Sequence, residues 1–463
     1  MLFHTWPFLY FFAVVYLVFL CLRGTRYWQV WMLVASYAFY GYANPLYLLL
    51  IFYSTLLDYW CVVRMDRSAR RGFWLGVSIF NNLLVLGFFK YSRFLLSAID
   101  SAFLQFGLPV ELIAPDWVPT ANNLPVGISF FTFQSMSYTI DFYRGGIERE
   151  KSFLRFATFV SFFPQLVAGP IERASKLLPQ LHTRATITSA NVADGASLFI
   201  TGLFKKVALS NYLSAYADPI FALPERHDGA ALAAATFAFA WQIYFDFSGY
   251  TDMARGVARS MGFDLMLNFR NPYLANGISD FWSRWHISLS TWFRDYVYIP
   301  LGGNRNGTFF LYRNLFLTMF ISGVWHGANW TYVIWGTIHG IAAVASRRLE
   351  RSDFYRDRIP NVFKQIAVFL IVCIAWVYFR ASSVSEANLI VTTIFTSTWS
   401  VPSFPLLLLS LILCVWIFEA LSESRFARLV EVSFVKVLAA SGMLVYLAIM
   451  PGQADVPFIY FQF

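Results

Sequence analysis

The run from Leu315 to Ser346 spans 32 residues without one Asp, Glu, Lys or Arg. As a single helix it would reach about 48 Å, against a hydrocarbon core of about 30 Å. Both flanks are basic, with Arg305 and Arg313 before the run and Arg347 and Arg348 after it. Basic residues collect on the cytoplasmic side of a bilayer, so the run reads as a broken or re-entrant hairpin with both ends on that side. Gly323, Gly327 and Asn329 are where the helix can break. Irregular backbone at membrane depth persists only against protein or a watery cavity, and His326 lies beside the break, where the reading places it facing such a cavity.

Composition makes the same demand of the whole chain. Hydrophobic residues are 58% of the 463 and charged residues 13%, with a mean hydropathy of +0.55. A soluble domain carries about 25% charged residues, so lipid is the solvent here. The apolar runs are continuous rather than alternating, which excludes a β-barrel. The net charge of +9 sits in short segments: Arg23 and Arg26; Arg64, Arg67, Arg70 and Arg71; Arg347, Arg348, Arg351, Arg356 and Arg358. That is positive-inside patterning, not a nucleic-acid surface. Cys21, Cys61, Cys373 and Cys414 lack metal-ligand spacing and read as structural thiols.

The apolar runs predict spans near 5–22, 27–43, 46–63 and 73–89, then an outer loop from Ser97 to Asn123. Further segments fall near 125–143, 153–170, 194–221, 231–250 and 278–301, and after the hairpin near 365–379, 404–421 and 437–450. Residues 5–22 lack a basic leader and read as a retained first span. The expectation is an all-α polytopic membrane protein of about eleven spans, one membrane-embedded domain over residues 1–463, with both termini outside.

Ionisable groups inside such runs are costly and face the bundle interior. Asp58, Asp141, Asp246 and Asp252 all lie in apolar stretches. Asp141 with Arg144, and Asp252 with Arg255, have the i, i+3 spacing of helical pairs. Asp246 has no local cation and reads as a cavity wall. Among the histidines, His4, His182 and His227 lie at ends or in polar loops. His339 follows His326 by thirteen residues, about 220° round a continuous helix, and reads as a packed, hydrogen-bonded core residue pointing away from it.

His286 and His326 remain. No HxxxH, HExxH or Cys pair offers a metal site, so none is expected. A desolvated imidazole is neutral with an available lone pair, which suits a general base activating a hydroxyl against an acyl thioester. Asn329 could orient the ring or polarise a carbonyl. No Gly-x-Ser-x-Gly elbow supports a serine acyl-enzyme. This chemistry is open to an acyltransferase and to a transporter alike.

Motifs narrow the choice. Ser279-Asp-Phe-Trp-Ser-Arg-Trp-His286-Ile-Ser-Leu-Ser-Thr-Trp-Phe-Arg294-Asp295-Tyr-Val-Tyr298-Ile-Pro-Leu-Gly-Gly-Asn304-Arg305 resembles the signature of the membrane-bound O-acyltransferases. Ser322-Gly-Val-Trp-His326-Gly-Ala-Asn329 resembles that family's histidine motif, and Phe163–Arg173, Asn268–Tyr273 and Val456–Phe463 are further matches. The resemblance implies a helical bundle around a central tunnel, with His326 catalytic and His286 in the second catalytic position. Trp325, Asn329, Asp246, Arg294, Asp295, Asn304 and Arg305 are the implied substrate-binding residues, with Arg294, Asn304 and Arg305 meeting donor phosphates. It implies no bound cofactor and acetyl-CoA as acyl donor. It also implies a bacterial inner-membrane location and a periplasmic SGNH-like acetyltransferase or another polysaccharide-modification subunit as partner. The implied acceptor is a polysaccharide of alginate type; cellulose or peptidoglycan modified by the same chemistry, or a non-enzymatic glycan exporter or flippase, are the alternatives.

Overall fold

The computed structural model describes residues 1–107, 115, 118–119, 125–428, 432–450 and 457–459. Most of the predicted outer loop beyond Gly107 and the ends of the Val456–Phe463 motif lie outside them. Among the described residues every regular element is helical. The helices are α1 (Trp6–Leu22), α2 (Trp28–Gly41), α3 (Tyr47–Arg67), α4 (Arg71–Gln105), α5 (Ile128–Tyr143), α6 (Phe153–Ser161), α7 (Phe163–Leu166), α8 (Ala174–His182) and α9 (Ser189–Phe204). A π-helical turn, Lys205–Ser210, leads into α10 (Asn211–Ala222) and α11 (Gly229–Ser260). After them come α12 (Ile278–Arg284), α13 (Ile287–Phe293) with a π-turn at Arg294–Tyr298, α14 (Thr308–His326), α15 (Trp330–Leu349), α16 (Asn361–Arg380), α17 (Val384–Thr396), α18 (Leu406–Ser422) and α19 (Ser433–Ile449).

Four of these, α3, α4, α11 and α16, are long and apolar enough to cross a bilayer, and α1, α17, α18 and α19 are shorter apolar helices. The outer surface is built for lipid: Trp6, Leu46, Phe80, Leu406 and Phe434 are 68% to 78% exposed, while Asp58, Asn82, Glu172 and Asp246 are buried. Soluble proteins rarely expose so many large apolar side chains together, and the pattern fits a lipid surround.

Several predicted spans change form. α4 has 35 residues, about 52 Å, and carries its helix through Ser97, which the sequence assigns to a loop. Residues 153–170 are not a span: α6 has nine residues, and Pro164, in the first turn of α7, has no N–H to continue the ladder. Residues 278–301 divide into α12, α13 and the π-turn, because His286 takes a left-handed conformation between the two helices. α17 is additional to the predicted spans, its start capped by Ser383 Oγ accepting from the Glu386 N–H at 3.1 Å.

The chain divides into two compact units, residues 1–196 with 254–266, and residues 197–253 with 267–463. In the first, Phe3, Phe8, Phe39 and Phe163 stack into an aromatic core, with centroid separations from 4.6 to 6.2 Å. Beside it, the buried Asp58 carboxylate accepts from Ser78 Oγ at 2.7 Å and from Asn82 Nδ2 at 2.9 Å. In the second unit, α14 and α15 form the hairpin expected of the uncharged run, broken at residues 327–329. The two helices meet backbone to backbone. A Cβ on Gly323 would stand 2.4 Å from the Tyr332 carbonyl oxygen, and one on Gly336 2.7 Å from that of Met319. Small residues at such crossings allow close packing without a hydrophobic drive between helices.

Candidate active site

α14 ends at His326 because Gly327 is fully extended, with φ −168° and ψ 159°, and ends the helical ladder. α15 starts four residues later, at Trp330, under the cap of Asn329, whose Oδ1 accepts from the Thr331 N–H at 3.1 Å. The Asn329 amide also donates to the Ser382 carbonyl at 2.9 Å. Its amide is thus engaged in holding the hairpin turn, both oxygen and nitrogen having backbone partners.

The His326 ring is 5% exposed. It lies in edge contact with Trp325 and Trp335, both at 4.8 Å, and with Phe379 at 5.3 Å. His339 is not turned away as a continuous helix would place it. The break folds α15 back along α14, and Trp335 stands between the two imidazoles, 4.8 Å from each. Trp325 in turn faces Phe293 at 6.3 Å, linking the hairpin to α13.

His286 is completely buried and has φ 44° and ψ 54°, a conformation non-glycine residues adopt at a cost. Asn268 secures it. Its side-chain oxygen accepts from the Ser288 N–H at 3.2 Å and Ser288 Oγ at 3.0 Å, and lies 3.1 Å from His286 Nδ1. The Asn268 carbonyl accepts from the Ile287 N–H at 2.9 Å. Phe247 presses on the ring edge-on at 4.7 Å. From Asn268 through Phe269 and Trp285 to Trp376 and Trp335, an aromatic series joins the surroundings of His286 to those of His326, with successive ring separations of 5.0, 5.1, 6.1 and 4.8 Å.

A cavity of about 460 Å³ opens beside the hairpin, walled by Trp282, Arg294, Tyr298, Asn304, Met319 and Arg347 among others. Arg294 is 60% exposed at its mouth and paired with Asp295 at 2.8 Å. Asn304 is held there by a loop that Asn314 anchors, its amide donating to the carbonyls of Leu301 at 3.1 Å and Gly303 at 2.9 Å. Arg305 is exposed on the same loop. Met319 lies seven residues before His326, about 10 Å along the axis of α14. Of the residues expected from the sequence, Arg294 and Asn304 line this cavity, together with Arg347, Tyr298 and Trp282, to which the sequence assigns no role. Arg347 was visible only as one more basic flank.

Asp246 is corrected outright. It is 2% exposed, paired with Lys206 Nζ at 2.7 Å, and accepts from the Ile459 N–H at 2.7 Å. Its cation comes from the π-turn forty residues upstream, a distance no local pattern reveals. Asp252 bonds to Lys205 of the same turn at 2.8 Å, a cross-helix partner additional to the local pairing expected for it.

A buried imidazole at a helix break, a second imidazole held by an asparagine, and a cation-rimmed cavity make a constellation suited to group transfer. The model of the membrane-bound O-acyltransferase family matches residues 144–383. The chain is 43% identical to the probable alginate O-acetylase of Pseudomonas aeruginosa, over 86% of this chain and 76% of that protein. It is 35% identical to the peptidoglycan O-acetyltransferase of Helicobacter pylori, over 78% and 72% respectively. Similarity to the teichoic acid D-alanyltransferase of Streptococcus thermophilus is 29%, over 51% and 61%. The chain belongs to the membrane-bound O-acyltransferase family and is an acyltransferase.

Proposed function

We propose that this protein is a bacterial inner-membrane O-acetyltransferase, taking acetyl from acetyl-CoA on the cytoplasmic side to modify an extracytoplasmic polysaccharide. The observation that carries the reading is the cavity itself. Its mouth bears Arg294, Arg347 and Asn304, groups that bind phosphate oxygens. Its wall reaches Trp282, whose ring is 5.7 Å from that of Trp335, which in turn abuts His326.

In the reaction the acceptor oxygen attacks the thioester carbonyl. His326 takes the hydroxyl proton as the C–O bond forms, the C–S bond breaks, and the proton passes to the departing thiolate, giving ester and free thiol. General-base assistance of this kind contributes about 10²- to 10⁴-fold. His286 is the second imidazole of the site. A periplasmic SGNH-like acetyltransferase or another polysaccharide-modification subunit is the proposed partner receiving or delivering the acyl group.

Relatives named for alginate and for peptidoglycan acetylation support a sugar hydroxyl as acceptor. The stronger similarity to the former favours an alginate-type polymer. Incubating membranes containing the protein with acetyl-labelled acetyl-CoA and alginate, cellulose or peptidoglycan tests donor and acceptor together. Ester label on alginate is the expected result. Label on another glycan moves the acceptor, and no transfer from acetyl-CoA to any of them overturns the donor assignment.

A further inference from the structure

Between the cavity and His326 stand three side chains carrying four nitrogen atoms without hydrogen-bond partners among the described residues: Trp282 Nε1, Trp335 Nε1, and both Nδ1 and Nε2 of His339. Trp335 and His339 are fully buried. Burying such groups unpaired is costly, and native proteins keep few of them. These four are clustered. The Trp282 ring is 5.0 Å from His339 and 5.7 Å from Trp335, and Trp335 is 4.8 Å from His339.

Their chemistry is asymmetric. Each indole offers one donor, and a neutral imidazole offers one donor and one acceptor. Three donors and one acceptor suit a chain bearing carbonyl oxygens and an occasional N–H, and they do not suit a plain hydrocarbon. We propose that Trp282, Trp335 and His339 form an aromatic gate between cavity and active site, through which a slender amide-bearing acyl thioester arm passes. His339 is the positioning residue that hydrogen-bonds the arm. The Trp282 indole, on the cavity wall and in edge contact with Trp335, is the outer leaf and turns aside to admit the arm. The proposal rests on reading the cavity as the donor site.

The test uses the full-length protein in lipid nanodiscs, a non-transferable thioether analogue of acetyl-CoA as binding probe, and acetyl transfer as a second readout. His339→Phe and Trp282→Phe should each weaken analogue binding about tenfold and raise donor KM similarly, with kcat within about threefold. His339→Gln, which keeps a donor and an acceptor, should recover most of the loss and also serves should the phenylalanine variant fail to fold. His326→Ala should instead bind the analogue normally and lose turnover. Wild-type binding with unchanged affinity in folded His339→Phe, His339→Gln and Trp282→Phe overturns the gate alone. Absence of analogue binding by the wild type overturns the gate together with the donor reading.

Discussion

Asn268 Oδ1 lies 3.1 Å from His286 Nδ1 while accepting two hydrogen bonds from Ser288. An amide oxygen can only accept, so Nδ1 carries the proton and Nε2 keeps the lone pair of the neutral ring. One asparagine thus fixes both the tautomer and the left-handed backbone of the second imidazole.

Replacing Asn268 separates those duties. Asn268→Ala leaves the Ser288 donors and Nδ1–H unpaired and should destabilise the protein by about 1–3 kcal/mol, with activity falling in parallel. Asn268→Asp retains the acceptor and should preserve the tautomer. Thermal unfolding and turnover of the two variants, measured side by side, check the ranking.

The hairpin depends on its glycine crossing. A methyl group at Gly323 would stand 2.4 Å from a carbonyl oxygen, so Gly323→Ala must push α14 from α15 and displace His326. A loss of about 1–3 kcal/mol is expected, with lower turnover. Gly442→Ala in α19, where a Cβ meets nothing within 4 Å, should be neutral or slightly stabilising. Equal melting behaviour of the two variants contradicts the close packing.

The Lys206–Asp246 pair is buried on both sides, each side chain 2% exposed. Removing one partner strands the other charge, so Lys206→Ala or Asp246→Ala should cost about 3–5 kcal/mol, while Lys206→Met with Asp246→Leu should be far milder. Unfolding midpoints of the single and double variants measure that non-additivity.

Arg294 and Arg347 line the cavity from different elements. Arg294→Ala and Arg347→Ala should each raise donor KM several-fold with little change in kcat, the effect shrinking as salt rises. A fall in kcat at unchanged KM contradicts a donor-anchoring role.

Much of this was legible because it was local. The uncharged run forces a hairpin and Gly327 and Asn329 mark its break, whereas Gly323, the other expected break point, stays helical and serves the crossing with α15. What stayed hidden was long-range. Lys206 and Asp246 are forty residues apart, and the π-turn that aligns them has no compositional mark. A continuous helix turns His339 away from His326. Once broken, the hairpin puts Trp335 between the two histidines. The start of α17 carried a readable sign, Ser383 three residues before Glu386, a helix-capping pattern. The two halves of 278–301 carried none, since nothing in the residue type of His286 announces φ 44°.

The imidazole at the end of α14 is the group on which acyl transfer depends. His326→Ala, purified folded and assayed for acetyl transfer to polysaccharide, should lose about 10²-fold or more, and cells carrying it should still secrete polymer, now without ester. Full acetylation by that variant contradicts the account.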